Sequence, residues 1–286
     1  MALRFLHLHV VIFPPDMHIG LFGTGRVAAA LAPALAAAGH RLAFVASREL
    51  ASAQAFAAQF TSCQPLELGA GQPLPPADLY LLAVPDAAVP VLLGTLLWPT
   101  DALVAHLAGA LPLTVFEAAP QVRGGVLYPL QTFSPGRAIN WPAVPLFVEA
   151  ADYATEATLL AVAYSLSTQV AVLDSGQRLR LHLGAVFASN FTNHTLGIAH
   201  TLLAEAGLDF ALLAPLVRET VDKALAAHPT PFAVQTGPAA RHDAPTLAAH
   251  TAALAAHPAW QALYTQLTLS IQAATAFPAV HPPSTR

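Results

Sequence analysis

The stretch His18-Ile19-Gly20-Leu21-Phe22-Gly23-Thr24-Gly25-Arg26-Val27-Ala28, followed by an alanine-rich run to Gly39-His40, decides how the chain is read. The apolar run ending at Phe22 is a buried strand, Gly23 to Gly25 a tight turn, and Arg26 onward a helix closed by Gly39. Gly23 lets the chain turn sharply, Gly25 lets backbone N–H groups approach a diphosphate, and Ala28 lets the helix pack closely on the strand. The helix N-terminus adds partial positive charge for the anion. A glycine turn also occurs where nothing binds, so the residues around it carry the argument.

Outward from that turn, Arg41 to Ala46 forms a second strand. An acidic residue at its end would hold a ribose 2′-OH, but the chain has Ser47-Arg48. A hydroxyl and a guanidinium suit a 2′-phosphate, which selects NADP over NAD; Arg48 is otherwise a solvated loop charge. Residues 64–77 are a proline- and glycine-rich loop around a weak strand. Asp78 to Val84 is a continuous apolar strand stopped by Pro85, and Val84 and Pro85 at its C-terminal end are expected to line the nicotinamide side of a crevice. The strand 102–106 ends on His106, which either meets a substrate or is a hydrogen-bonded structural histidine. Strands at 125–134 and 144–149 complete an N-terminal doubly wound parallel α/β sheet, with Gln131 and Thr132 as orienting or ordinary turn residues.

Composition narrows the function classes. The chain has 286 residues, only 10% charged and 55% hydrophobic, with a net charge of −4. That balance excludes disorder and gives nucleic acid no basic footprint. Apolar runs are interrupted well before the roughly 20 residues of a membrane span. The lone Cys63 excludes an intrachain disulfide and fits a reducing cytoplasm. The 13 histidines show no HExxH or clustered metal-ligand spacing, so no metal is expected. Residues 1–16 read as an extension before the first strand, with Met17 an alternative start.

From residue 151 helical periodicity dominates, apart from a short strand at 170–173, which places the boundary between a domain at 17–150 and a mainly α-helical C-terminal domain at 151–286. The segment 178–206 reads as one long helix with His182, Ser189, Asn193 and His200 on a narrow polar stripe and Asn190 beside it. Such a stripe of hydrogen-bonding groups either faces solvent or lines a cleft between the domains. Glu219 and Lys223 have the spacing of a surface ion pair, and Asp243 is placed to cap the helix carrying His250.

Taken together, Gly23-Thr24-Gly25, Leu82 to Asp86, the Tyr-Pro-Leu-Gln-Thr-Phe run at 128–133, His182 with Ser189-Asn190, Glu219-Thr220 with Lys223, and Thr236-Gly237-Pro238 through Arg241 and Asp243 to His250 resemble a known family. This is the bacterial two-domain Rossmann-like proteins with a C-terminal domain of unknown function 2520, many described as NADP oxidoreductases. The resemblance covers nearly the whole chain from Met17. It implies an NADP-binding Rossmann domain followed by a helical domain, similar in plan to pyrroline-5-carboxylate reductase and 6-phosphogluconate dehydrogenase, and a homodimer through the helical domain. It implies no particular substrate. Where many members carry His this chain has Tyr128, and where they carry a small residue it has His242.

The expectation is therefore an NADP-dependent oxidoreductase acting on a small polar substrate in an interdomain cleft. Gly23, Thr24, Gly25, Arg26, Val27, Ser47, Arg48, Ala83, Val84 and Pro85 would hold the cofactor. His182 would donate a proton, Asn190 would orient the reacting atom, and His106 is a further catalytic candidate. The competing class is a non-enzymatic NADP-binding sensor or scaffold.

Overall fold

The computed structural model of the protein describes residues 16–69 and 71–276. The chain divides into two compact units, one ending at Asn190 and the other beginning at Phe191. The proposed extension at 1–16 lies outside the described residues except for Asp16, which pairs with Arg41 at 3.1 Å.

The first unit is built on eight strands: β1 (His18–Phe22), β2 (Arg41–Ser47), β3 (Gln64–Glu67), β4 (Leu79–Leu82), β5 (Leu103–His106), β6 (Arg123–Pro129), β7 (Leu146–Ala150) and β8 (Val170–Val172). Their order is β3-β2-β1-β4-β5-β6-β7-β8, parallel throughout except for the antiparallel β6–β7 pair. The chain reverses its direction of winding between β1 and β4, where a crevice opens beyond the strand ends.

Period-two alternation gives the sheet two apolar faces. Ile19 and Leu21 of β1 lie in one buried cluster with Leu31 and Leu35 of α1 (Arg26–Ala37) and Leu159 and Val162 of α4 (Tyr153–Leu166). Phe22, Phe44 and Tyr80 lie in the other with Trp98 and Leu93, the latter on α3 (Val89–Thr95). Gly20 makes the second cluster possible, since a Cβ there would run into the Phe44 ring.

The compact sheet unit runs past residue 150: α4 follows β7, Asp152 caps it by accepting from Thr155 N at 2.9 Å, and β8 then adds to β7 in parallel register. The apolar face of α4 is consumed by the sheet, and the following helix α5 (Ser175–Ala185) still belongs to the first unit. One expectation requires correction, that of a single helix over 178–206. After α5 a π-helical turn at Val186–Phe191 intervenes before α6 (Thr192–Glu205). The wider π turn shifts the helical register, breaking the stripe from His182 to His200, whose two ends belong to different compact units.

The second unit is helical: α6, α7 (Ala214–Ala226), α8 (Ala244–Ala253) and α9 (Pro258–Ala276). Asp243 caps α8, accepting from Thr246 N at 3.3 Å and from its Oγ1 at 2.9 Å. Among the described residues Glu219 and Lys223 form no ion pair, so their spacing on α7 is not used.

Candidate functional site

At the β1/β4 reversal lies a cavity of about 590 Å³. Gly23, Thr24 and Gly25 form one side, Ala83, Val84 and Pro85 a second, and Ser47 and Arg48 the end reached from β2. Gly23 has φ +101°, and a Cβ on it would strike the Ala83 carbonyl oxygen, so β1 and β4 meet this closely only around glycine. Gly25 caps α1 without a side-chain hydrogen bond, no acidic residue stands in the first turn, and its missing Cβ would have met nothing within 4 Å. The first N–H groups of α1 therefore lack the usual capping side chain beside open space, which is the arrangement an anion completes.

These features fit a dinucleotide. The diphosphate would take the turn and helix N-terminus, and a 2′-phosphate would take Ser47 and Arg48. Arg48 is exposed and has no ion-pair partner among the described residues. Val91, Leu92, Thr95 and Leu96 complete the cavity with a mostly apolar wall suited to a flat base, a contribution from α3 that sequence reasoning missed. Apolar residues on one side of a short helix carry no mark that distinguishes a ligand wall from core. Arg26 lines instead a second cavity of about 380 Å³, which shares Thr24 and Gly25 and includes Arg137. Val27 lines neither and packs on the core.

Beyond Pro85 the C-terminal ends of the central strands gather titratable groups. His106 is completely buried, stacked on Phe116 at 5.8 Å, and its Nδ1 accepts the Ala108 N–H at 3.2 Å. Nε2 therefore carries the hydrogen, yet it has no partner among the described residues. Burial, assisted by the Arg178 cation, pushes His106 down to about 3, so it is a neutral imidazole that does not act as an acid near neutral pH.

Tyr128 on β6 is 7% exposed and its hydroxyl lies 3.1 Å from His182 Nδ1 on α5. Burial raises its pKa, opposed by Arg178 and reinforced by Asp86, which directly follows Pro85. Asp86 thus links this group electrostatically to the cofactor cavity. Asn190 is exposed at the end of the π turn, and no hydrogen bond joins it to His182 or Tyr128.

Sequence reasoning also missed the brace that fixes α5. Arg178, 1% exposed, pairs with Glu149 at 3.1 Å and donates to the Leu111 carbonyl at 2.6 Å. Glu149 also accepts from the Ser175 N–H and hydroxyl, both at 2.8 Å, and Ser175 Oγ accepts from Leu113 N at 2.9 Å. One helical turn after Arg178 stands His182. The only sequence signal was an acidic residue closing an apolar strand. Among the described residues no group of three or more His, Cys, Asp or Glu could hold a metal ion, and no helix is long and apolar enough to cross a membrane.

The reversal-point cavity, glycine turn and helical second unit define a two-part protein of the Rossmann-like class. Residues 8–132 match the model of a Rossmann-like domain, and residues 144–271 match the domain of unknown function DUF2520. A candidate NADP oxidoreductase from Bacteroides fragilis, BF3122, is similar at 38% identity over 90% of this chain and 98% of its own, with a TM-score of 0.79. The chain belongs to this family of Rossmann-like proteins with a DUF2520 domain. The fold is shared with protein TM1727 from Thermotoga maritima, at 19% identity, 90% and 98% coverage and a TM-score of 0.64. It is shared too with a reductive aminase from Aspergillus terreus in complex with NADPH and ethyl-5-oxohexanoate, at 19% identity, 91% and 93% coverage and a TM-score of 0.62. No curated protein matches the chain.

Proposed function

We propose that the protein is an NADP-dependent oxidoreductase that reduces or oxidises a small polar substrate beyond the end of β4. The observation that carries this reading is the uncapped α1 N-terminus with open space at Gly25, on a cavity whose far end holds Ser47 and Arg48. The NADP assignment of the Bacteroides fragilis relative supports it. When bound, the cofactor would supply a hydride for reduction, or in its oxidised form accept one for oxidation; the protein orients the two reactants and handles a proton. His182, half-buried on α5, is the group that can hold or release that proton. Asn190 does not titrate and contributes orientation only, while His106, neutral and buried, is a fixed part of the interior. Binding of NADPH followed by its oxidation in the presence of a panel of small carbonyl or imine compounds tests the reading. NADPH binding with no oxidation across such a panel would favour the sensor alternative, and absence of binding would end both.

The working protein is a homodimer through its helical unit. Among its described residues only Ala239 and Leu254 are buried hydrophobics, whereas Leu216, Leu225 and Phe232 are 62%, 81% and 65% exposed. A helical unit with so little interior of its own gains stability by covering that surface with a second copy. Sedimentation at micromolar concentration should give twice the chain mass; a monomer would rule this out.

A further inference from the structure

The Tyr128–His182 contact joins a buried tyrosine to a histidine ring nitrogen. Among the described residues the acceptor within reach of the Tyr128 hydroxyl is Nδ1 of His182, 3.1 Å away, so donation to that atom is what satisfies the hydroxyl hydrogen within the protein. For Nδ1 to accept, it must be unprotonated, which puts the imidazole hydrogen on Nε2. That atom has no hydrogen-bond partner among the described residues, on a ring that is only half-buried. The rings meet edge to face with centroids 6.0 Å apart.

The surroundings hold this arrangement rather than merely tolerate it. A Cβ on Gly109, in the turn after β5, would come within 2.5 Å of His182 Nδ1 and 2.9 Å of Tyr128 Cζ. The backbone of α5 is pinned one turn earlier by the Arg178–Glu149–Ser175 cluster. The charged groups acting on Tyr128 are Arg178 from α5 and Asp86 from the turn after β4, and they oppose one another.

We propose that Tyr128 is a positioning residue that holds His182 as the neutral Nε2–H tautomer, so that this N–H is the hydrogen-bond donor the site offers to the polar atom of a substrate. The inference rests on the oxidoreductase reading for its purpose, but not for its geometry. A fixed Nε2–H donor selects substrates whose reacting carbon carries an oxygen or nitrogen acceptor, such as a ketone or a neutral imine.

The test is nitrogen NMR of the full-length chain labelled with ¹⁵N-histidine, with the His182 signals among the 13 histidines assigned by the His182→Gln spectrum. In the unmodified protein the neutral imidazole of His182 is expected as a single Nε2–H tautomer with an unprotonated Nδ1; a mixture, or the Nδ1–H form, overturns the proposal without any variant. Tyr128→Phe should give mixed tautomers and lower kcat about tenfold or more, leaving the NADPH KM unchanged. An unchanged tautomer in folded Tyr128→Phe also overturns it. Titrating NADPH into the same sample separates the two readings: failure to bind removes the oxidoreductase assignment while leaving the tautomer result standing.

Discussion

Replacing Arg48 with alanine should weaken NADPH binding and leave NADH binding nearly unchanged. Arg48 stands at the β2 end of the cavity, beside Ser47, and among the described residues it neither ion-pairs nor packs in the core, so its removal leaves folding intact. A guanidinium bound to a 2′-phosphate makes charge-assisted hydrogen bonds worth about 1.5–3 kcal/mol. The side chain is exposed, which puts the value in the lower half of that range, or roughly tenfold in Kd. Calorimetric titration of both nucleotides into native and Arg48→Ala protein measures the ratio directly, and thermal unfolding checks integrity. High salt should narrow the difference, since the contact is screened. Equal loss of affinity for NADPH and NADH would refute the clamp, because only one of them carries the phosphate.

Three further outcomes follow from the geometry. Glu149→Ala strands the buried Arg178 cation and should cost about 3–5 kcal/mol in urea unfolding; a loss below 1 kcal/mol would deny the pair its bracing role. His106 is held at about 3 when folded but returns to about 6.5 when unfolded, so between these values the unfolded chain binds the extra proton and stability falls as pH drops. The slope from this group is at most ~1.4 kcal/mol per pH unit, and a folded His106→Asn protein whose stability falls as steeply would contradict it. Gly23→Ala imposes a side chain at φ +101° against the Ala83 carbonyl, and should abolish NADPH binding and lower Tm; tight binding by this variant would show that the turn does not need glycine.

The sheet was legible because its signals are local. A strand such as Leu79–Leu82 is a run of neighbouring apolar residues, and the Gly23 turn is a feature of one backbone position. Caps such as Asp243 are equally local, spanning three residues. Where α4 packs was not legible, because it looks the same whether its apolar face meets a sheet or another helix; its partners, β6 and β7, decide the matter. The π turn at Val186–Phe191 escaped notice since it leaves no compositional mark and appears only as a change of register.

The cradle at Gly23 to Gly25 and the choice of Arg48 over an acid at the end of β2 were both determined by the sequence, since each depends on residues that adjoin one another. Only the tertiary structure decided that Tyr128 meets His182 across 54 positions and that Glu149 meets Arg178 across 29. Neither pairing has a periodicity. Each follows from where β6, β7 and α5 come to rest once the sheet is closed over its core, and burial then turns ordinary side chains into a directed hydrogen bond and a braced charge.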